Sequence, residues 1–161
     1  MIDAMDKAAG LSEGDALFEA RRFRPEFVEG AELCRLSTLA PQHGLGLTPA
    51  LRLALARRIA VLNDDQVLVA EYATQLAALD PTDDLLALAQ GVSELDEPLA
   101  TIARHVDLIT LRPIKAEAIH LERLAQAGLN NPQIVALSEL IAFVNYEARV
   151  IAGLRVLGEV A

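Results

Sequence analysis

The chain has 161 residues, 53% of them apolar, and a net charge of −9 from 14 basic and 23 acidic side chains. This length and apolar content allow a packed core without metal or disulfide staples and exclude a disordered chain. The acidity opposes binding to nucleic acid or to an anionic membrane, and no uncharged apolar run reaches the ~18–20 residues that span a bilayer.

Alanine and leucine contribute 28 residues each, aromatics are only 4%, and tryptophan is absent. Good helix formers therefore dominate over strand formers, and the expected fold is all-α, with about seven to eight helices. Residues 1–10 carry no firm signal and are expected to be mobile. Residues 13–22 read as a short helix capped by Ser12. Arg24-Pro25 breaks it, because a residue preceding proline is pushed out of the α region. Pro25 then opens a helix to about Leu39, with Phe27, Val28, Ala31, Cys34 and Leu39 near helical spacing. Pro41–Gly46 is a loop by composition.

Thr48-Pro49 pairs a capping hydroxyl with a proline at the first helical position and starts a helix to about Leu62. Asp64 or Asp65 can cap the next helix, which ends by Asp80-Pro81. A shorter helix covers about 82–90, and a loop spans Gly91 to Asp96. Pro98 opens a helix through Thr110, and Pro113 opens another to Ala127, with Gly128 as its left-handed terminator. Asn131-Pro132 repeats the cap-plus-proline signal before a last helix to about Leu157. In that helix Ile134, Leu137, Ile141, Val144, Ala148, Ile151 and Leu154 form one apolar stripe. Leu140, Phe143, Val150 and Leu157 cover much of the rest. A helix apolar on all sides is buried within the protein or between subunits, so a homo-oligomer is expected.

The single cysteine, Cys34, excludes an intrachain disulfide, and His43, His105 and His120 are too scattered in sequence for a metal motif. No metal or cofactor is expected. The start, MIDAMDKAAG, is acidic and lacks an apolar run, so it is no signal peptide and a cytoplasmic location is expected. Arg21, Arg22 and Arg24, like Arg57 and Arg58, sit among acidic or apolar residues and read as helix surface or structural ion pairs.

The segment His105 to Leu157 carries Thr110 and Pro113 as a Thr-x-x-Pro break, then Leu-x-x-Ala-Gly-Leu at Leu124–Leu129. It continues with Ala-Phe-x-Asn-x-x-x-Arg at Ala142, Phe143, Asn145 and Arg149. With these features it resembles the C-terminal half of AhpD-like proteins, members of the carboxymuconolactone decarboxylase superfamily. Thr48 to Leu79 resembles the preceding helix pair of that family. The resemblance implies an AhpD-like helical core at 48–161 and an N-terminal helical extension at 1–47. Active AhpD-like enzymes carry Cys-x-x-Cys-x-x-x-His. A helix N-terminus favours the thiolate, the second thiol resolves the oxidised first, and the histidine moves protons. Laid on this chain, those positions fall on Asp65, Leu68 and Tyr72. The resemblance thus implies the fold but not dithiol peroxidase chemistry.

Cys34 lies mid-helix and is expected to be a buried structural thiol; a one-Cys peroxidase is the alternative. Glu71, Tyr72, His105, Asn145 and Arg149 are the candidate pocket residues. Asn145 and Arg149 share a face of the apolar last helix, either as a buried hydrogen-bonded pair or as the floor of an anion-binding pocket. Three functional readings remain open: an oligomer that is structural or binds a small molecule without redox chemistry, a cysteine-independent lyase of the carboxymuconolactone decarboxylase type, and a peroxidase-related subunit whose chemistry another protein completes. In the second, Glu71, Tyr72 or His105 would move protons and Arg149 would hold a carboxylate.

Overall fold

The computed structural model describes residues 2–159. Among these residues it contains nine α-helices, one 3-10 helix and no strand, so the chain is all-α. The first helix, α1 (Ala4–Ala9), occupies a segment that the sequence alone marks as mobile. Two aspartates account for the difference. The Asp6 backbone N–H donates to Asp3 Oδ1 at 2.8 Å, and the Asp3 N–H donates to Asp6 Oδ2 at 3.0 Å. Gly10, at φ 76°, closes the helix in the left-handed region. Met5 and Asp6 are buried, and Asp6 is then met by Arg21 Nη1 at 2.6 Å and Arg22 Nη2 at 2.5 Å. The two arginines lie on and just after α2 (Ala16–Arg21). That helix starts later than Ser12 implies. Gly14, at φ 96°, interrupts the run, Asp15 takes the capping position, and the Ser12 N–H donates to its side chain.

Helix α3 (Pro25–Leu39) has proline in its first turn, as its sequence requires. Only Ala31, Thr38 and Leu39 of α3 are buried. Phe27 and Cys34 of the expected stripe are exposed, as are Leu33 and Leu36. Helix α4 (Pro49–Leu62) begins with Thr48 Oγ1 accepting from the Leu51 N–H, and its residues Ala54, Leu55, Ala56, Ile59 and Ala60 have no exposed surface. Two arginines are buried on this apolar helix, and each donates to several acceptors. Arg52 reaches the carbonyls of Leu47, Thr38 and Gly44, which fixes the loop before the helix. Arg58 binds both Asp107 oxygens at 2.7 Å and the carbonyls of Leu88 and Val92. Burying a cation is tolerable only with such full satisfaction.

Helix α5 (Gln66–Ala77) is capped by Asp65, whose Oδ1 accepts from the Val67 and Leu68 N–H groups. It ends before Asp80, which lies at φ 49° in the left-handed region. Helices α6 (Asp83–Ala89) and α7 (Leu99–Leu111) follow. The single helix expected from Pro113 to Ala127 is split. A 3-10 turn (Pro113–Lys115) precedes α8 (Ala118–Gln126), because Ala116 and Glu117 are extended and the Glu117 N–H donates to His120 Nδ1. The last helix, α9, runs from Asn131 to Glu159. Its cap is Asn130 rather than Asn131: Asn130 and Gln133 exchange backbone-to-side-chain bonds at 2.9 and 3.0 Å. Helix α9 packs against α1, α2, α3, α4, α7 and α8, and Leu137, Leu140, Val144 and Ile151 are wholly enclosed.

The Asp6 carboxylate has no exposed surface and joins α1 to α2. Replacing it with Asn (Asp6→Asn) would leave Arg21 and Arg22 facing a neutral amide. Breaking a buried ion pair costs ~3–5 kcal/mol. Urea unfolding of Asp6→Asn should therefore show a loss of about 3 kcal/mol; a loss within error of zero would mean that α1 is not anchored through this group.

Candidate functional site

Helix α5 presents Tyr72 one turn after Leu68, and α9 presents Glu147 opposite it. The Tyr72 hydroxyl donates to Glu147 Oε2, and both side chains are 2% exposed. The start of α5 is held in place from the far end of α9. Arg155 Nη1 binds Asp65 Oδ2 at 2.9 Å, and Arg155 Nη2 binds the Ala8 carbonyl at 2.8 Å. One guanidinium thus ties α1, α5 and α9 together around the pair.

Above Tyr72 and Glu147 lies a cavity of about 680 Å³, a size that suits a small organic molecule. Leu68, Val67 and Ala4 supply apolar wall, and Lys7 and Arg35 are its cations. Arg35 gives Nε and Nη2 to Glu32 at 2.8 and 2.7 Å, and no hydrogen bond from its Nη1 is formed among the described residues. Burial pushes the Glu147 carboxyl up to about 7, against the opposing effects of the Tyr72 hydrogen bond and the Arg35 charge; Asp65 and Glu32 push it further up. Burial likewise raises the Tyr72 hydroxyl well above its ordinary value, and the Glu147 charge adds to the effect. The site therefore holds a carboxyl that can be protonated or ionised near neutral pH, beside a phenol that stays protonated.

The other candidate residues are dispersed. Glu71 lines the same cavity but is exposed and accepts from Gln75 Nε2. His105 lines a different cavity, between α7 and α8. Asn145 is buried in a network with no opening. Its Oδ1 accepts from Asn63, and its Nδ2 donates to Thr110 Oγ1 and the Ile141 carbonyl. Arg149 is exposed rather than buried, and its Nη1 donates to the Asn145 carbonyl at 3.4 Å. It points away from the stripe because position 149 lies about 140–160° around α9 from Val144 and Ile151.

Cys34 is also exposed, contrary to the burial expected of it. It sits in an apolar groove between α3 and α9 with Phe27, Phe143 and Tyr146. The groove has Glu26 and Glu139 in its lining and no cation, and the neighbouring Arg35 is bound to Glu32. Reactive thiols rely on nearby positive charge, which this groove does not provide. Of the three positions where the family resemblance places the redox motif, Asp65 is a helix cap and ion-pair partner, while Leu68 and Tyr72 line the Glu147 cavity. Among the described residues no group of acidic, His or Cys side chains is arranged to hold a metal ion, and no helix is long and apolar enough to cross a membrane.

Glu147 was missed by the sequence reading, yet the signal exists. Positions 140, 144, 147, 151 and 154 share one face of α9, and Glu147 is the only charged residue among Leu140, Val144, Ile151 and Leu154. A charge at an apolar stripe position is the kind of buried polar group that needs an explanation.

No family model and no curated protein matches the chain. Among solved structures, it is similar to an uncharacterized peroxidase-related protein from Silicibacter sp. TM1040, with a TM-score of 0.71 and 16% identity over 92% of this chain and 77% of that one. The shared feature is the fold. The likeness covers 92% of this chain, so the two proteins share one helical architecture.

The raised Glu147 carboxyl has a signature in stability. Folded Glu147 keeps its proton up to about pH 7, whereas its ordinary value is 4.5. Its contribution is therefore complete below pH 4.5 and is lost as pH rises through 7. Glu147→Gln, which removes the titration, should match the wild type near pH 4.5 and exceed it at pH 8 by about 3 kcal/mol. Paired denaturation curves across this range check it; a pH-independent difference would show that Glu147 titrates normally.

Proposed function

We propose that this is a small-molecule enzyme on a peroxidase-related fold that works by proton transfer at Glu147, without thiol redox chemistry. The observation that carries this reading is the enclosed Tyr72–Glu147 pair beneath a cavity with Lys7 and Arg35 in its wall. A carboxyl titrating near neutral pH is suited to general acid–base work. Arg35 is already bound to Glu32, and Asp3 and Glu71 also line the cavity, so Lys7 is the cation that would meet a substrate carboxylate. The motif resemblance to AhpD-like and carboxymuconolactone decarboxylase proteins narrows the reaction class to a cysteine-independent lyase.

In such a reaction the substrate's C–C bond to its carboxylate breaks, and carbon dioxide leaves. The electron pair is passed through the ring C=C bond to the lactone carbonyl, which delocalises it. Protonated Glu147 then gives its proton to the ring carbon beside that carbonyl, the double bond shifts toward the carbon that lost carbon dioxide, and Glu147 regains a proton from solvent. Tyr72 holds the carboxyl in place through its hydrogen bond. Because the acid must be protonated, kcat should fall as pH rises through about 7. With carboxymuconolactone as the probe, wild-type protein should release carbon dioxide. Glu147→Gln should lower kcat by ~10²–10⁴ and Tyr72→Phe by less. Turnover unchanged in folded Glu147→Gln would overturn the assignment.

The reading includes self-association. Phe27 on α3 and Tyr146 on α9 are exposed aromatic side chains in the Cys34 groove of about 690 Å³. Covering such a surface with a second copy removes it from water. Sedimentation velocity should give a species larger than 17.3 kDa; a monomer at all concentrations would remove this part of the reading.

A further inference from the structure

A second cavity, of about 350 Å³, opens between α7 and α8. Buried His105 and half-buried His120 line it, and the exposed Arg104, Arg112 and Arg123 surround them. It shares no lining residue with the Tyr72–Glu147 cavity. The one carboxylate in its lining, Asp107, is bound through both oxygens by Arg58. Arg104 is paired with Glu97 at 2.8 Å. The guanidiniums of Arg112 and Arg123 have neither an ion-pair nor a hydrogen-bond partner among the described residues. On a chain with 23 carboxylates, that leaves two positive charges in surplus around one small cavity.

The second observation is a buried one. His105 is 7% exposed, and its Nδ1 has no hydrogen-bond partner. A buried ring nitrogen without a partner costs free energy unless something else binds it. Burial lowers the His105 imidazole below its ordinary range, and His120 adds to this, so the ring is neutral at pH 7. A neutral imidazole carries one N–H, and with that hydrogen on Nδ1 it donates to an oxyanion oxygen.

We propose that this cavity is a binding site for the phosphate of a small phosphate monoester, held by Arg112 and Arg123 with His105 as the buried contact. Two surplus charges match a dianion, and guanidiniums bind phosphate oxygens in a planar fork. The cavity exceeds what one phosphate group needs, and an adjoining depression shares Thr101, Arg104 and Arg123 with it, leaving room for the organic part.

Isothermal titration with glycerol 3-phosphate and with inorganic phosphate tests the site, alongside nitrogen-detected NMR of the histidine rings. The expected result is saturable binding, tighter for glycerol 3-phosphate, with a shift of the His105 Nδ1 resonance. Arg112→Gln and Arg123→Gln should each weaken binding about tenfold or more. Circular dichroism would establish that these surface variants remain folded. Glu147→Gln should bind as the wild type does, which keeps this result separate from the proton-transfer site. Absence of saturable binding in the millimolar range, or binding untouched in the double variant, would overturn the proposal. Equal or tighter binding of inorganic phosphate would overturn the assignment to an ester. A changed sedimentation coefficient in the double variant, with phosphate binding intact, would assign the arginines to a subunit contact instead.

Discussion

A helix that is apolar around most of its circumference has to be surrounded by protein, and α9 imposes that constraint on the whole chain. Leu137, Leu140, Ile141, Val144 and Ile151 of α9 are essentially inaccessible. At ~1.5–3 kcal/mol for each large apolar side chain, these five alone are comparable with the net stability of an ordinary domain. No single partner helix can cover so wide a surface. Helices α1, α2 and α3 therefore approach from one part of the sequence, and α4, α7 and α8 from another. Arg155 near the end of α9 reaches back to Asp65 and Ala8, so the helix that demands enclosure also helps to lock its enclosure.

The same constraint determines the two kinds of polar group on α9. Asn145 is satisfied on both sides of its amide by Asn63, Thr110 and the Ile141 carbonyl. A group so completely bonded has nothing left to offer a ligand, and its effect is to fix the register of three elements. Glu147, two residues on, has a single hydrogen-bond donor among the described residues, the Tyr72 hydroxyl, and borders open space. Its carboxyl is too buried to ionise easily and too poorly paired to ionise strongly. The contrast between these neighbours separates a packing device from a chemical group more reliably than polarity does.

Much of the fold was legible because local signals agree with the core. Pro25, Thr48-Pro49 and Gly128 mark helix ends where the structure has them. The misreadings arise where long-range contacts outweigh local ones. Residues 4–9 hold a helix because the local Asp3–Asp6 capping pair is anchored by Arg21 and Arg22, more than ten positions away. Cys34 is exposed because α3 buries only a narrow strip and leaves Phe27 and Leu36 outside, a choice made by where α9 lies. The candidate site was half legible. Tyr72 came from the motif resemblance, whereas Glu147 could be placed beside it only once α5 and α9 were seen to meet. Glu71, His105 and Arg149 each had the right chemistry, and no sequence pattern said which cavity, if any, each would reach.

The positions that the AhpD-like resemblance assigns to a redox motif each hold a residue suited to something other than thiol chemistry. A thiolate and a carboxylate are both anions that a helix N-terminus stabilises. Asp65 takes that role, accepts from Val67 and Leu68, and is matched by Arg155, which fixes the scaffold without an oxidisable atom. Leu68 puts hydrocarbon where a resolving thiol would stand, and a drier cavity raises the cost of ionising Glu147. Tyr72 is a phenol that donates to that carboxyl and remains protonated itself. Helix-terminal stabilisation, an apolar wall and a proton-bearing ring stand at these positions. The arrangement favours the movement of a proton, and the group that titrates is on α9 rather than on α5.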